Sequence, residues 1–79
     1  MPSIDLHGMD RVLARIKTNE FLNDHFQSGD LEVAIIHGIG TGVLKNEVHT
    51  ILYRHPLVDD FHLDYFNSGC TLVRLKKKY

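Results

Sequence analysis

The segment His37-Gly38-Ile39-Gly40-Thr41-Gly42 constrains the fold of this chain more than any other. It follows the apolar run Leu31-Glu32-Val33-Ala34-Ile35-Ile36 and precedes Val43-Leu44-Lys45-Asn46-Glu47-Val48-His49-Thr50-Ile51-Leu52, which repeats at helical spacing. A strand therefore runs into a glycine-rich turn, and the turn opens a helix. Backbone N–H groups converge in such a turn, and the helix start adds a partial positive charge there. A phosphate oxygen is the natural occupant. His37 stands at the mouth of the turn, where an imidazole can move protons for a bound phosphodiester.

The rest of the chain arranges itself around that unit. Ser3 to His7 alternates apolar with polar and reads as a short strand ended by Gly8. Asp10 is placed to cap a helix from Arg11 to Gln27, with Val12, Leu13, Ile16, Phe21, Leu22 and Phe26 mostly on its inner side and Gly29 as its stop. The run Leu31 to Ile36 suits a central strand covered on both faces. Thr41 reads as the cap of the second helix, which ends near His55 because Pro56 disfavours helix in the residue before it. Val58 to Phe66 reads as a strand, Asn67-Ser68-Gly69 as a tight turn, and Cys70 to Lys76 as the last strand. The order βαβαββ predicts an α/β (α+β) two-layer sandwich, a four-stranded mixed sheet with two helices, in one domain spanning residues 1–79 with its core at 3–76.

Composition narrows the function. The formal net charge is −1, which argues against tight, purely electrostatic binding to a polyanion. Local fields can still be positive: Arg11, Arg15 and Lys17 lie on the first helix, and Arg74, Lys76, Lys77 and Lys78 gather near the C-terminus. Cys70 is the only cysteine, so no intrachain disulfide forms and a reducing, cytoplasmic setting is expected. No apolar stretch approaches the ~20 residues that span a bilayer, so no membrane partner is expected.

Asp5-Leu6-His7-Gly8 is the second informative motif. Asp5 and His7 are two apart on a strand and project from one face. His7 and His37 each end a strand and precede a glycine. If the two strands are parallel, both imidazoles open onto the sheet edge where open α/β sheets bind ligands. One histidine accepts a proton while the other donates one, Asp5 orients His7, and the amides from Gly38 to Gly42 hold phosphate oxygens. Lys45 and Arg74 are candidate backbone contacts. His25, His49, His55 and His62 read as structural. They show no metal-ligand spacing, and Asp5 alone makes a poor metal site.

Asp5-Leu6-His7-Gly8, His37-Gly38-Ile39-Gly40-Thr41-Gly42 with Val43-Leu44-Lys45, His55-Pro56-Leu57-Val58 and Gly69-Cys70-Thr71-Leu72-Val73 together resemble the Smr (small MutS-related) domain, from Ile4 to Leu75. The resemblance implies a sandwich similar to the C-terminal domain of a bacterial translation initiation factor and to part of a deoxyribonuclease fold. It implies nicking of DNA, including branched or looped DNA, or cleavage of RNA, in some members stimulated by Mg²⁺ or Mn²⁺. Such domains stand alone or follow the ATPase of MutS-like proteins in DNA repair and recombination control. In family terms Asp5 and His7 are the catalytic pair, and His37 to Gly42 the nucleic-acid-binding loop, including Ile39 and Thr41. This chain carries Ile39 where many relatives have Lys or Arg, which removes a phosphate contact. Its glycine-rich connection before the last strand is shorter than in many relatives. It keeps His7 where some MutS-associated members have Arg.

The sequence therefore predicts a structure-selective endonuclease with Asp5, His7 and His37 as catalytic residues. Gly38, Ile39, Gly40, Thr41, Gly42, Lys45 and Arg74 are the predicted nucleic-acid contacts. A non-catalytic nucleic-acid-binding module of a MutS-like protein and a protein-tethering domain stand as alternatives.

Overall fold

In a computed structural model describing residues 1–79, the strand that feeds the glycine turn lies inside a four-stranded sheet. The elements are β1 (Ser3–Asp5), α1 (Arg11–Gln27), β2 (Glu32–Ile36), α2 (Val43–Arg54), β3 (Val58–Asp64) and β4 (Asn67–Leu75). The sheet order is β1-β2-β4-β3, with β1 and β2 parallel and β4 antiparallel to both neighbours. The fold is therefore the expected α+β sandwich with a mixed sheet and two helices. Both crossovers leave α1 and α2 on the same side, where they touch each other and Arg15 reaches Glu47 at 3.7 Å.

Each helix boundary has a local cause. The Asp10 carboxylate accepts the Leu13 amide hydrogen at 2.8 Å, satisfying an orphan donor at the start of α1. Gly29, at φ +80°, follows the end of α1 in the left-handed region that glycine enters freely. α2 ends at His55, extended ahead of Pro56.

The core lies between the helices and one face of the sheet. Val33, Ile35, Val73 and Leu75 point into it from β2 and β4, and Leu22, Phe21, Val48 and Leu52 from the helices. Only one sheet face carries helices, so β2 is central in the sheet but not covered on both faces as its composition predicts. Small Ala34 and Cys70 lie buried low on the opposite face, among half-buried Ile36 and Leu72.

Two further expectations are corrected. The inner stripe of α1 is Ala14, Thr18, Phe21 and Leu22, whereas Val12, Leu13 and Ile16 are exposed. Ala14 and Thr18 keep the i, i+4 spacing of the stripe. The large residues beside them draw a hydrophobicity-based reading round the helix by about one position. The hairpin turn comes earlier than Asn67-Ser68-Gly69. Asp64 pairs with Asn67, so Tyr65 and Phe66 form the tip and Asn67 already belongs to β4. The glycine signal belongs to a bulge instead: Leu63 pairs with Thr71 and Asp64 with Asn67, one step on β3 against four on β4.

The α1 correction is open to direct measurement. Leu22 is fully buried and Ile16 is 49% exposed. Leu22→Ala should cost about 2–5 kcal/mol in urea unfolding, and Ile16→Ala less than about 1 kcal/mol. Equal losses would place the core on the other side of α1.

Candidate active site

The parallel pairing of β1 with β2 brings the two histidine motifs to one edge, as their placement in the sequence requires. Asp5 is opposite Ile36, and the Leu6 amide donates to the Ile36 carbonyl at 2.7 Å. Both chains leave the sheet one residue later. Gly38 then turns at φ +85°, and a Cβ there would stand 3.2 Å from the Cβ of His7. The absence of a side chain at Gly38 is what lets His7 lie against the second motif.

The bulge in β4 holds that turn in place. The Gly69 carbonyl accepts the amide hydrogens of His37 (2.9 Å) and Gly38 (3.0 Å). A Cβ on Gly69 would meet the Gly38 carbonyl carbon and Ile39 Cγ1, each at 3.1 Å. A side chain at position 69 would push this close backbone approach apart by a few tenths of an ångström.

Asp5 and His7 form a built pair. Asp5 Oδ1 accepts the His7 amide hydrogen at 3.1 Å and the His7 Nδ1–H at 2.8 Å. The side-chain bond from His7, reinforced by its amide, holds the Asp5 carboxyl below its ordinary value. Because the carboxylate can only accept, it fixes the His7 tautomer with the proton on Nδ1. Nε2 is left without a protein partner, available to accept a proton from a ligand.

A cleft of about 390 Å³ opens beside this pair. His7, Gly8, Met9 and Arg11 line one side. His37 to Gly42 and the first turn of α2, through Lys45, line the other. The lining holds two cations, Arg11 and Lys45, and no carboxylate, so a chain of net charge −1 presents a locally positive cleft. Thr41 does not cap α2. The N-cap is Gly42, left-handed at φ 86°, and no side chain accepts a hydrogen bond from the first turn. The orphan amides at this helix start therefore remain open to a ligand in the cleft.

His37 departs from the expected role. It is only 4% exposed, and both ring nitrogens are engaged. Nδ1 lies 3.1 Å from the Gly38 carbonyl, which can only accept, so Nδ1 carries the proton. Nε2, 2.8 Å from Thr71 Oγ1, is then an acceptor for the Thr71 hydroxyl hydrogen. Thr71 Oγ1 in turn accepts the Nε2–H of His49 at 2.7 Å. Burial, then the neighbouring His37 and Lys45, push His49 below its ordinary value. The network fastens the loop from beneath, and it leaves His37 no free nitrogen for a substrate.

Arg74 is also displaced from the site. Cys70, opposite Ile36, marks the cleft end of β4, and Arg74 lies four residues further on, about 13 Å along the strand. Its cross-strand neighbours there are Glu32 and Asp60. Arg11 lines the cleft instead. Its position after Gly8 and Asp10, at the start of α1, is the sequence signal that could have identified it.

No three His, Cys, Asp or Glu side chains come together anywhere in the chain. The side chains alone therefore form no cage for Mg²⁺ or Mn²⁺, which are held by one or two carboxylates together with waters and substrate phosphates.

Thr71 is fully buried and bonded to two imidazoles. Thr71→Val keeps the shape and strands both ring nitrogens. It should lower stability to urea by about 1–3 kcal/mol, and a neutral result would break the proposed network.

Comparison with known proteins gives one answer at every level. The Smr domain family model matches residues 4–76. A protein named endonuclease MutS2 from Clostridium novyi is 43% identical over 77 residues, covering 94% of this chain and 10% of that protein. Endonuclease MutS2 from Clostridium tetani is 40% identical over 76 residues, covering 92% of this chain and 10% of that protein. This chain thus spans about a tenth of the length of the relatives it matches. The crystal structure of the Smr domain of Thermus thermophilus MutS2 superposes with a TM-score of 0.93 at 25% identity, covering 96% of this chain and 99% of that one. With the Asp5–His7 pair and the glycine loop meeting at one edge of the same fold, this chain belongs to the Smr domain family.

Proposed function

We propose that this domain is a nucleic-acid endonuclease that nicks a phosphodiester in DNA or RNA, with His7 as its general base. The observation that carries the proposal is the close approach of His7 to Gly38, where a side chain's Cβ would stand 3.2 Å from the His7 Cβ, and which puts a tautomer-fixed imidazole beside a loop of open amides. The nonbridging oxygens of the scissile phosphate would sit on the amides from Ile39 to Val43 and at the start of α2, with Arg11 and Lys45 adding charge. His7 Nε2 would take the proton of an attacking water, or of a ribose 2′-hydroxyl in RNA, as that oxygen bonds to phosphorus and the P–O bond to the departing sugar oxygen breaks, the departing oxygen taking its proton from solvent. Asp5 would then face the resulting imidazolium across the Nδ1–H bond. His37 is a positioning residue in this scheme, acting through the Gly38 carbonyl. No step is assigned to a metal ion. The names of the MutS2 relatives support cleavage. Joined to MutS-like ATPase domains, the activity would serve DNA repair or recombination control on branched or looped DNA.

A second reading has its own support. With His37 buried, only one exposed imidazole lines the cleft, and a second proton carrier is missing. This favours a nucleic-acid-binding module without turnover.

Supercoiled plasmid and a structured RNA, each with and without Mn²⁺, separate the two. For an endonuclease, His7→Ala should lower the nicking rate by about 10²–10⁴-fold and leave oligonucleotide affinity unchanged. Lys45→Ala should weaken binding and reduce its salt slope by about one. Salt-dependent binding with identical trace nicking by wild type and His7→Ala would select the binding module.

A further inference from the structure

The tip of the β3–β4 hairpin breaks the usual chemistry of a turn. Two-residue turns favour Gly, Asn and Asp, yet here the tip is Tyr65-Phe66, and these rings are 90% and 98% exposed. Neither ring contributes to the core. The tip is nonetheless held firmly. Asp64 Oδ1 accepts the Phe66 amide hydrogen at 2.9 Å, and Asn67 Oδ1 accepts that of Gly69 at 2.9 Å. The His62 ring stands 5.6 Å from the Tyr65 ring.

The tip is continuous with the cleft. Gly69, three residues after Phe66, packs on Gly38 and on Ile39, whose side chain is 73% exposed. Three residues reach at most about 11 Å, the length of about three stacked nucleotides. Ile39, Tyr65 and Phe66 are thus exposed apolar side chains at the end of the sheet that carries the cradle. The charges divide in the same way. The cradle holds Arg11 and Lys45, whereas next to the tip the hairpin carries Asp64 and His62, and Arg74 faces Asp60 at its far end. A phosphate is favoured in the cradle and repelled by Asp64 next to the tip. An uncharged, planar group is what the tip can take.

We propose that Tyr65 and Phe66, with Ile39 beside them, form a stacking platform for unpaired nucleobases next to the phosphate held in the cleft. This rests on the nucleic-acid reading above and assigns recognition of unstacked bases to Tyr65 and Phe66. Bases inside a continuous duplex have their faces covered by their neighbours and offer nothing to a ring at the tip. Stacking on aromatic side chains tolerates any base, so the platform selects structure and not sequence.

The test is binding of the 79-residue chain to two fluorescent DNA oligonucleotides, a fully paired duplex and the same duplex with a single-stranded loop carrying 2-aminopurine. Wild type should prefer the looped DNA, and the 2-aminopurine emission should change on binding. Tyr65→Ala/Phe66→Ala should weaken looped-DNA binding tenfold or more, abolish the emission change and leave duplex binding unaltered. Tyr65→Phe should bind as wild type. Circular dichroism melts should coincide, because the tip lies outside the core. Equal binding of looped DNA by the double alanine variant and wild type would overturn the platform alone, as would an equal loss for both DNAs. Failure of wild type to bind either DNA would overturn the nucleic-acid reading and the platform with it.

Discussion

The amide hydrogens of His37 and Gly38 both end on the carbonyl oxygen of Gly69, and the arrangement of the cleft follows from that junction. The bulge in β4 supplies the carbonyl. Two missing side chains make the junction possible: Gly69 has no Cβ to strike Gly38 and Ile39, and Gly38 has none to strike His7. Each hydrogen bond contributes only about 0.5–1.5 kcal/mol net. The specificity comes from sterics, because no other residue fits either contact without moving backbone. Three segments distant in sequence, residues 5–7, 37–42 and 67–71, are thereby locked into one small region.

The electrostatics of that region differ from those of the whole molecule. A chain of net charge −1 gathers Arg11, Lys45 and an uncapped helix start around one cleft. It places a hydrogen-bonded series, His49 to Thr71 to His37 to the Gly38 carbonyl, beneath it. Both ring nitrogens of His37 are engaged in that series, while Nε2 of His7 has no protein partner. The two histidines that precede a glycine therefore do different work. One shapes the loop, and the other faces solvent with its tautomer set by Asp5.

Much of this was legible in the chain itself, wherever the cause was local. Asp10 and Gly29 bound α1, Pro56 bounds α2, and the two His-Gly motifs mark the ends of parallel strands. What local reading missed depends on distant partners. Nothing near His37 announces that Thr71 will bury it, since the bond spans 34 residues. The glycine at position 69 looks like a turn, and only its packing on Gly38 shows it to be a bulge. Thr41 looks like a cap, but Gly42 in the left-handed region takes that place. Arg74 looks like a phosphate contact until the register sets it at the far end of β4.

In the proposed function the His7 imidazole and the loop amides hold one anion between them. Nuclear magnetic resonance of ¹⁵N-labelled chain titrated with inorganic phosphate reads both partners at once. The His7 ring resonances and the amides of Gly40, Thr41, Gly42 and Val43 should shift together along one saturation curve. Loop amides that respond while the His7 ring stays silent, or no response from either, would contradict that shared binding.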